Sequence, residues 1–137
     1  MAVARRRIDI EEGKAALQAW HAAALSAGPS PAASSAAGSP VQPVPRTVTA
    51  TAVRYSLEEL TARAPGNSVE VRVPPFGVTQ CVEGPRHTRG TPPNVIECDA
   101  ATWLAMATGT LSWNDAVQAG RVAASGLRAD LSALLPL

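Results

Sequence analysis

The chain reads as an α+β domain: a small, mainly antiparallel sheet covered on one face by helices, with a helical arm tethered in front of it. Three observations predict this. Residues 68–73 and 78–83 alternate apolar and polar, which is the period of a half-buried strand. Residues 47–64, 99–109 and 112–120 carry apolar residues at helical spacing between start and stop signals. The order is helix, strands, helices and a returning short strand, which is the pattern of a sheet with its helices gathered on one side.

The arm comes first. Asp9 is a good cap for a helix over 9–27, and Glu12 completes a capping box. Ile10, Leu17, Trp20, Ala24 and Leu25 can share one face. Residues 28–46 are rich in Pro, Ser and Ala, with no periodicity and nothing to bury, so they read as a linker. The domain proper is expected at 47–137, with 1–27 docking either on it or on a second copy, as a homodimer.

Within the domain, the helix over 47–64 places Val53, Leu57 and Leu60 on one face, with Tyr55 at its edge and a Glu59–Arg63 pair on the wet side. Val69, Val71 and Val73 form the apolar face of the first strand. Pro74-Pro75-Phe76-Gly77 turns the chain into a second strand, with Val78, Gln80 and Val82 on one face and Thr79, Cys81 and Glu83 on the other. A loop over 84–93 precedes a third strand at 94–98. Asp99 then caps a helix carrying Trp103, Leu104 and Ala107, which Gly109 ends. Ser112 and Asp115 open another helix, with Trp113, Ala116 and Val117 as its apolar face and Gly120 as its stop. Residues 121–125 read as the fourth strand. Leu127, Leu131, Leu134 and Leu135 give the stripe of a final helix, stopped by Pro136.

Composition narrows the function. The 137 residues fit one domain; 46% are apolar and 17% charged, and the net charge of +1 gives no global field that would favour nucleic acid. Alanine supplies much of the apolar count, so the three tryptophans and Phe76 weigh heavily in the core. Arg5, Arg6 and Arg7 are followed by acidic residues and not by an apolar run, so they are not expected to open a signal peptide. No stretch is long and apolar enough for stable membrane insertion. The expected compartment is the cytoplasm, with Cys81 and Cys98 as buried free thiols; pairing across neighbouring strands is the alternative. No metal or cofactor motif is present, and none of the common catalytic signatures occurs.

The C-terminal half also carries a resemblance. Asp99-x-x-x-Trp103-Leu104, Gly109-x-Leu111, Ala116-x-x-x-Gly120-x-Val122-x-x-Ser125-Gly126 and Ala129-Asp130-Leu131-Ser132 follow in the order seen in sterol carrier protein domains. Upstream, Pro74-Pro75-Phe76-Gly77 and the loop 85–94 resemble a small bacterial branch of that family. The resemblance covers about residues 47–137. It implies an apolar tunnel between sheet and helices that holds sterols, fatty acyl chains or phospholipids. Here the lining would be Val71, Val73, Phe76, Trp103, Leu104, Leu111, Trp113, Val117, Leu131 and Leu134.

Two further features bear on function. Arg86, His87 and Arg89, in a loop with Thr88, Gly90 and Thr91, could hold an anionic headgroup, since guanidinium forks match oxyanions. The competing reading is a solvated loop whose arginines pair with Glu70, Glu83 or Glu97. The expected function is non-enzymatic binding of an apolar or amphipathic small molecule, without a cofactor. The alternative is a structural or protein-interaction domain with a filled core, resembling the accessory domains of mycothiol-dependent isomerases and some acetyltransferases.

Overall fold

A computed structural model describes residues 7–27, 44–84 and 94–137. These residues form α1 (Ile10–Ala27), α2 (Arg46–Arg63), β1 (Val69–Val73), β2 (Gly77–Cys81), β3 (Asn94–Glu97), α3 (Ala100–Thr108), α4 (Trp113–Gln118) and β4 (Ala123–Ser125). The sheet order is β2-β1-β3-β4. β1 pairs antiparallel with β2 and parallel with β3, and β3 pairs antiparallel with β4. β2 ends beside the start of β1, and β3 starts there too. The chain therefore need only step across that end of β1 to make the parallel pair.

Val69, Val71 and Val73 project from β1 into the core and are fully buried, as the alternation predicts. Val53, Leu57 and Leu60 from α2 and Trp103, Leu104 and Met106 from α3 meet them, with Ile96, Cys81 and Leu131. Each large apolar side chain placed this way contributes roughly 1.5–3 kcal/mol. One polar group sits at the centre. The Trp103 indole N–H donates to Ser56 Oγ at 2.8 Å, and that hydroxyl donates to the Ala52 carbonyl at 2.8 Å.

The predicted caps are present. Asp99 accepts the Thr102 N–H at 2.8 Å, Ser112 accepts the Asp115 N–H at 3.0 Å, and Asp9 accepts the Glu12 N–H at 3.1 Å. The Glu59–Arg63 pair is made at 3.1 Å. α1 packs on α2 of its own chain, but not by the whole stripe read from the sequence. Gly13 and Ala16 are buried, Leu17 and Trp20 are half-buried, and Ile10 and Leu25 face outward. A Cβ on Gly13 would stand 2.3 Å from the Tyr55 ring, so only glycine lets the two helices approach this closely. Glu58 fastens the start of the arm by accepting the backbone N–H groups of Arg7 and Ile8 at 2.9 and 3.3 Å.

The structure settles which face of β2 points inward, a choice the sequence left open, bears out the free thiols, and corrects the extent of β2, the fourth strand and the last helix. Cys81, Thr79 and Gly77 lie opposite Val69, Val71 and Val73 and share their inward face, which leaves Val78 60% exposed on the outer face. Both faces of this strand offered apolar residues, so the hairpin turn and not the pattern set the register. Val82 leaves the strand at φ 67. The fourth strand is shorter than expected, because Val122 is buried ahead of it and Ala123–Ser125 are exposed.

The last helix does not form. The Ser132 N–H turns onto the Asp130 carboxylate at 2.8 Å, and this Asx turn takes the place of a helical start. Too few residues remain before Pro136 to repay nucleation. Leu131 is fully buried, but Leu127 is fully exposed. Finally, the two cysteines flank opposite ends of β1. Cys81 pairs with Val69, whereas the Cys98 N–H reaches the Arg72 carbonyl. Both are free thiols, and burial pushes them up to about 11 and about 12.

Candidate functional site

The residues expected to line a tunnel divide into three groups. Val71, Val73, Trp103, Leu104 and Leu131 are buried together in the hydrophobic core. Leu111 and Trp113 line a groove at the C-terminal end of α3, and the partly buried Leu134 packs against the core cluster without lining that groove. Phe76 and Val117 stand apart. Phe76 lies under the Arg46 guanidinium, 5.0 Å from its ring centroid, and Val117 is 40% exposed on α4. Arg86, His87 and Arg89 lie outside the described residues.

The groove is built by local chain chemistry. Gly109 adopts the left-handed conformation at φ 88, and its N–H bonds back to the Ala105 and Met106 carbonyls, which closes α3 sharply. The Thr110 and Leu111 N–H groups also return to Ala105, at 2.9 and 3.2 Å. This fold-back turns Leu111 toward Trp113, the first residue of the Ser112-capped α4. The C-terminal segment crosses from the other side. Leu134 and Leu135 bond back to the Leu131 carbonyl, and the Leu137 N–H reaches the Ala107 carbonyl at 3.0 Å. Pro136 sits over Gly109, whose added Cβ would lie 3.6 Å away.

The result is a groove of about 240 Å³ walled by Leu111, Trp113, Leu135 and Pro136, with the buried Met106 beneath its floor. Ser112, Asn114 and Ser132 supply polar atoms at its rim. An apolar wall with a few polar groups is what a site for an apolar small molecule requires. Met106, Leu135 and Pro136 were missed as site residues from the sequence. The signal for them was the Gly109 stop together with Pro136, which bring the two chain segments face to face.

Two other hollows differ in character. One of about 540 Å³ lies on the outer sheet face among Glu70, Arg72 and Glu97, which form an ion-pair row across β1 and β3. A cleft of about 400 Å³ lies between α2 and β2, with Arg7 and Ile8 on its wall. Among the described residues no group of three or more His, Cys, Asp or Glu is placed to hold a metal ion, and no helix is long and apolar enough to cross a membrane.

Among curated proteins none matches the chain. A family model described as bacterial SCP ortholog matches residues 45–137, that is, α2 to the C-terminus without α1. The fold, the α2-to-C-terminus span and this match agree: the chain belongs to the bacterial SCP orthologs and carries a sterol carrier protein-like domain.

Proposed function

We propose that the chain is a non-enzymatic binding domain that takes an apolar or amphipathic lipid-like molecule in the groove between α3, α4 and the C-terminal segment. One observation carries this reading. Leu111, Trp113, Leu135 and Pro136 form an apolar wall on the helical side of a domain whose family description names a carrier. Val71, Val73, Trp103 and Leu104 are fully buried, which favours a ligand seated outside them. A ligand would therefore lie along the groove, and its polar end would meet Ser112, Asn114 and Ser132. Each methylene removed from water there contributes about 0.8 kcal/mol. The test is a titration with a fluorescent acyl probe, read by its emission and by quenching of tryptophan. Leu111→Glu puts a charge on the wall and should abolish saturable binding, with the circular dichroism spectrum unchanged. Equal binding by wild type and Leu111→Glu would place the probe elsewhere and defeat the proposal.

A second reading is favoured by the same closed core: a protein-interaction domain that holds no small molecule. It predicts that the probe does not bind and that the protein behaves as a scaffold.

A further inference from the structure

The backbone groups on the free edge of β2 can be accounted for one by one. In an antiparallel pair, alternate residues turn both N–H and C=O toward the partner strand, and the residues between turn both away. Arg72 gives its carbonyl to the Cys98 N–H on the β3 side of β1, at 3.1 Å. Val78 is paired with Arg72, so it turns its own groups away from β1. Gln80 has the same parity as Val78, whereas Val82, past the end of the strand at φ 67, splits its groups, its carbonyl accepting the Ser68 N–H at 3.1 Å. The Gln80 carbonyl accepts the Thr61 hydroxyl at 3.0 Å, and the Val82 N–H donates to the Ala64 carbonyl at 2.7 Å. At the turn, the Phe76 carbonyl accepts Arg54 Nε at 3.0 Å.

α2 and its C-cap residue Ala64 thus meet the Phe76 carbonyl, the Gln80 carbonyl and the Val82 N–H, and skip Val78. Among the described residues the Val78 N–H and C=O have no partner. The gap faces the cleft of about 400 Å³, whose walls include Arg7, Arg54, Leu57 and Phe76. Glu58, the one acidic group there, is held by two backbone N–H groups of the arm. The cleft therefore combines one unpaired edge residue, Val78, with the apolar Leu57 and Phe76 and two arginines beside one engaged carboxylate. It shares no lining residue with the apolar groove.

We propose that this edge is a peptide-docking site, at which an extended acidic segment of a partner protein adds a strand to β2 at Val78. Exposed edges are templates for such pairing, and main-chain bonds supply affinity while side-chain pockets supply selectivity. The choice of an acidic segment follows from Arg7 and Arg54, which favour a carboxylate on the incoming strand. Arg7 belongs to the arm, so docking of α1 completes the site.

The test uses the full chain and a fluorescein-labelled hexapeptide that alternates valine with aspartate and glutamate, read by anisotropy. Saturable binding is expected. Arg7→Glu, and separately Val78→Pro, should each weaken it about tenfold or more. Methylation of the central peptide amides should do the same. Val78→Pro removes an N–H that no ladder bond uses, so its melting temperature should fall by less than about 4 °C. Three results would overturn the proposal. The first is no binding by the wild type. The second is affinity unchanged by both Val78→Pro and peptide methylation. The third is a dimer in native mass spectrometry that Val78→Pro dissolves, which would make the occupant a second copy. Unfolding of Val78→Pro would show that its N–H belongs to the ladder and would equally refute the geometry.

Discussion

Ser56→Ala tests how the core is held together. Ser56 and Trp103 are both fully buried, and the indole N–H donates to Ser56 Oγ at 2.8 Å. The hydroxyl itself donates to the helix carbonyls of Ala52 and Val53 at 2.8 and 2.9 Å. Removing it costs those carbonyls little, because they are part of the α2 ladder. The indole N–H, however, is left buried without an acceptor, at a cost of about 1–3 kcal/mol. Against this, alanine gains roughly 0.5 kcal/mol of helix propensity over serine. The net loss is about 0.5–2.5 kcal/mol, and at roughly 4 °C per kcal/mol the melting temperature should fall by about 2–10 °C. Trp103→Phe should cost less in the Ser56→Ala background than in wild type, with a coupling of about 1 kcal/mol in a double-mutant cycle. Urea and thermal unfolding followed by circular dichroism measure both. A Ser56→Ala protein at least as stable as wild type would refute the reasoning.

Further outcomes are expected at other positions. Leu127→Ser should change stability by less than about 0.5 kcal/mol, because Leu127 is fully exposed. Leu131→Ala should cost about 2–5 kcal/mol, and urea midpoints that rank the two alike would restore the terminal helix. Gly13→Ala should drive α1 off α2, because its Cβ would meet the Tyr55 ring at 2.3 Å. Hydrogen exchange should then accelerate about tenfold or more in α1 amides while β1 stays protected. The thiols of Cys81 and Cys98 should resist a disulfide reagent at neutral pH until the protein is denatured, since the thiolate is the reactive form and burial disfavours it. Folded thiols at about 11 and about 12, against 9.0 unexposed to burial, hold their protons more tightly than unfolded ones. Their contribution to stability is therefore constant below pH 9 and falls as pH rises through the 9-to-12 window, which pH-dependent unfolding measures.

What the sequence revealed depended on how local the signal was. The caps at Asp99 and Ser112 and the left-handed stop at Gly109 were readable because each is a short-range exchange between one side chain or glycine and the adjacent turn. The β1 face was readable because valines alternate with charged residues there. β2 was not, because Val78 and Cys81 offer apolar groups on opposite faces and the turn chooses between them. The C-terminal leucines kept helical spacing, but one Asx turn at Asp130 redirected them. Of the expected site, Leu111 and Trp113 reach a groove, while Val71, Val73, Trp103 and Leu104 close the core. Hydrophobicity gave the membership of the interior, but whether a buried residue lines a hollow depends on how volumes fit across elements far apart in the chain. The Val78 edge was unreadable for the same reason, since it exists only because α2 reaches past it.

The central claim is that an apolar molecule occupies the groove at Leu111 and Trp113. Native mass spectrometry of the protein purified from cells, followed by organic extraction, tests it most directly. The account predicts a mass excess of a few hundred daltons that extracts as lipid and is absent from Leu111→Glu. A bare chain that stays bare after incubation with fatty acids, acyl-CoA and sterols would contradict it and leave the filled-core interaction domain in its place.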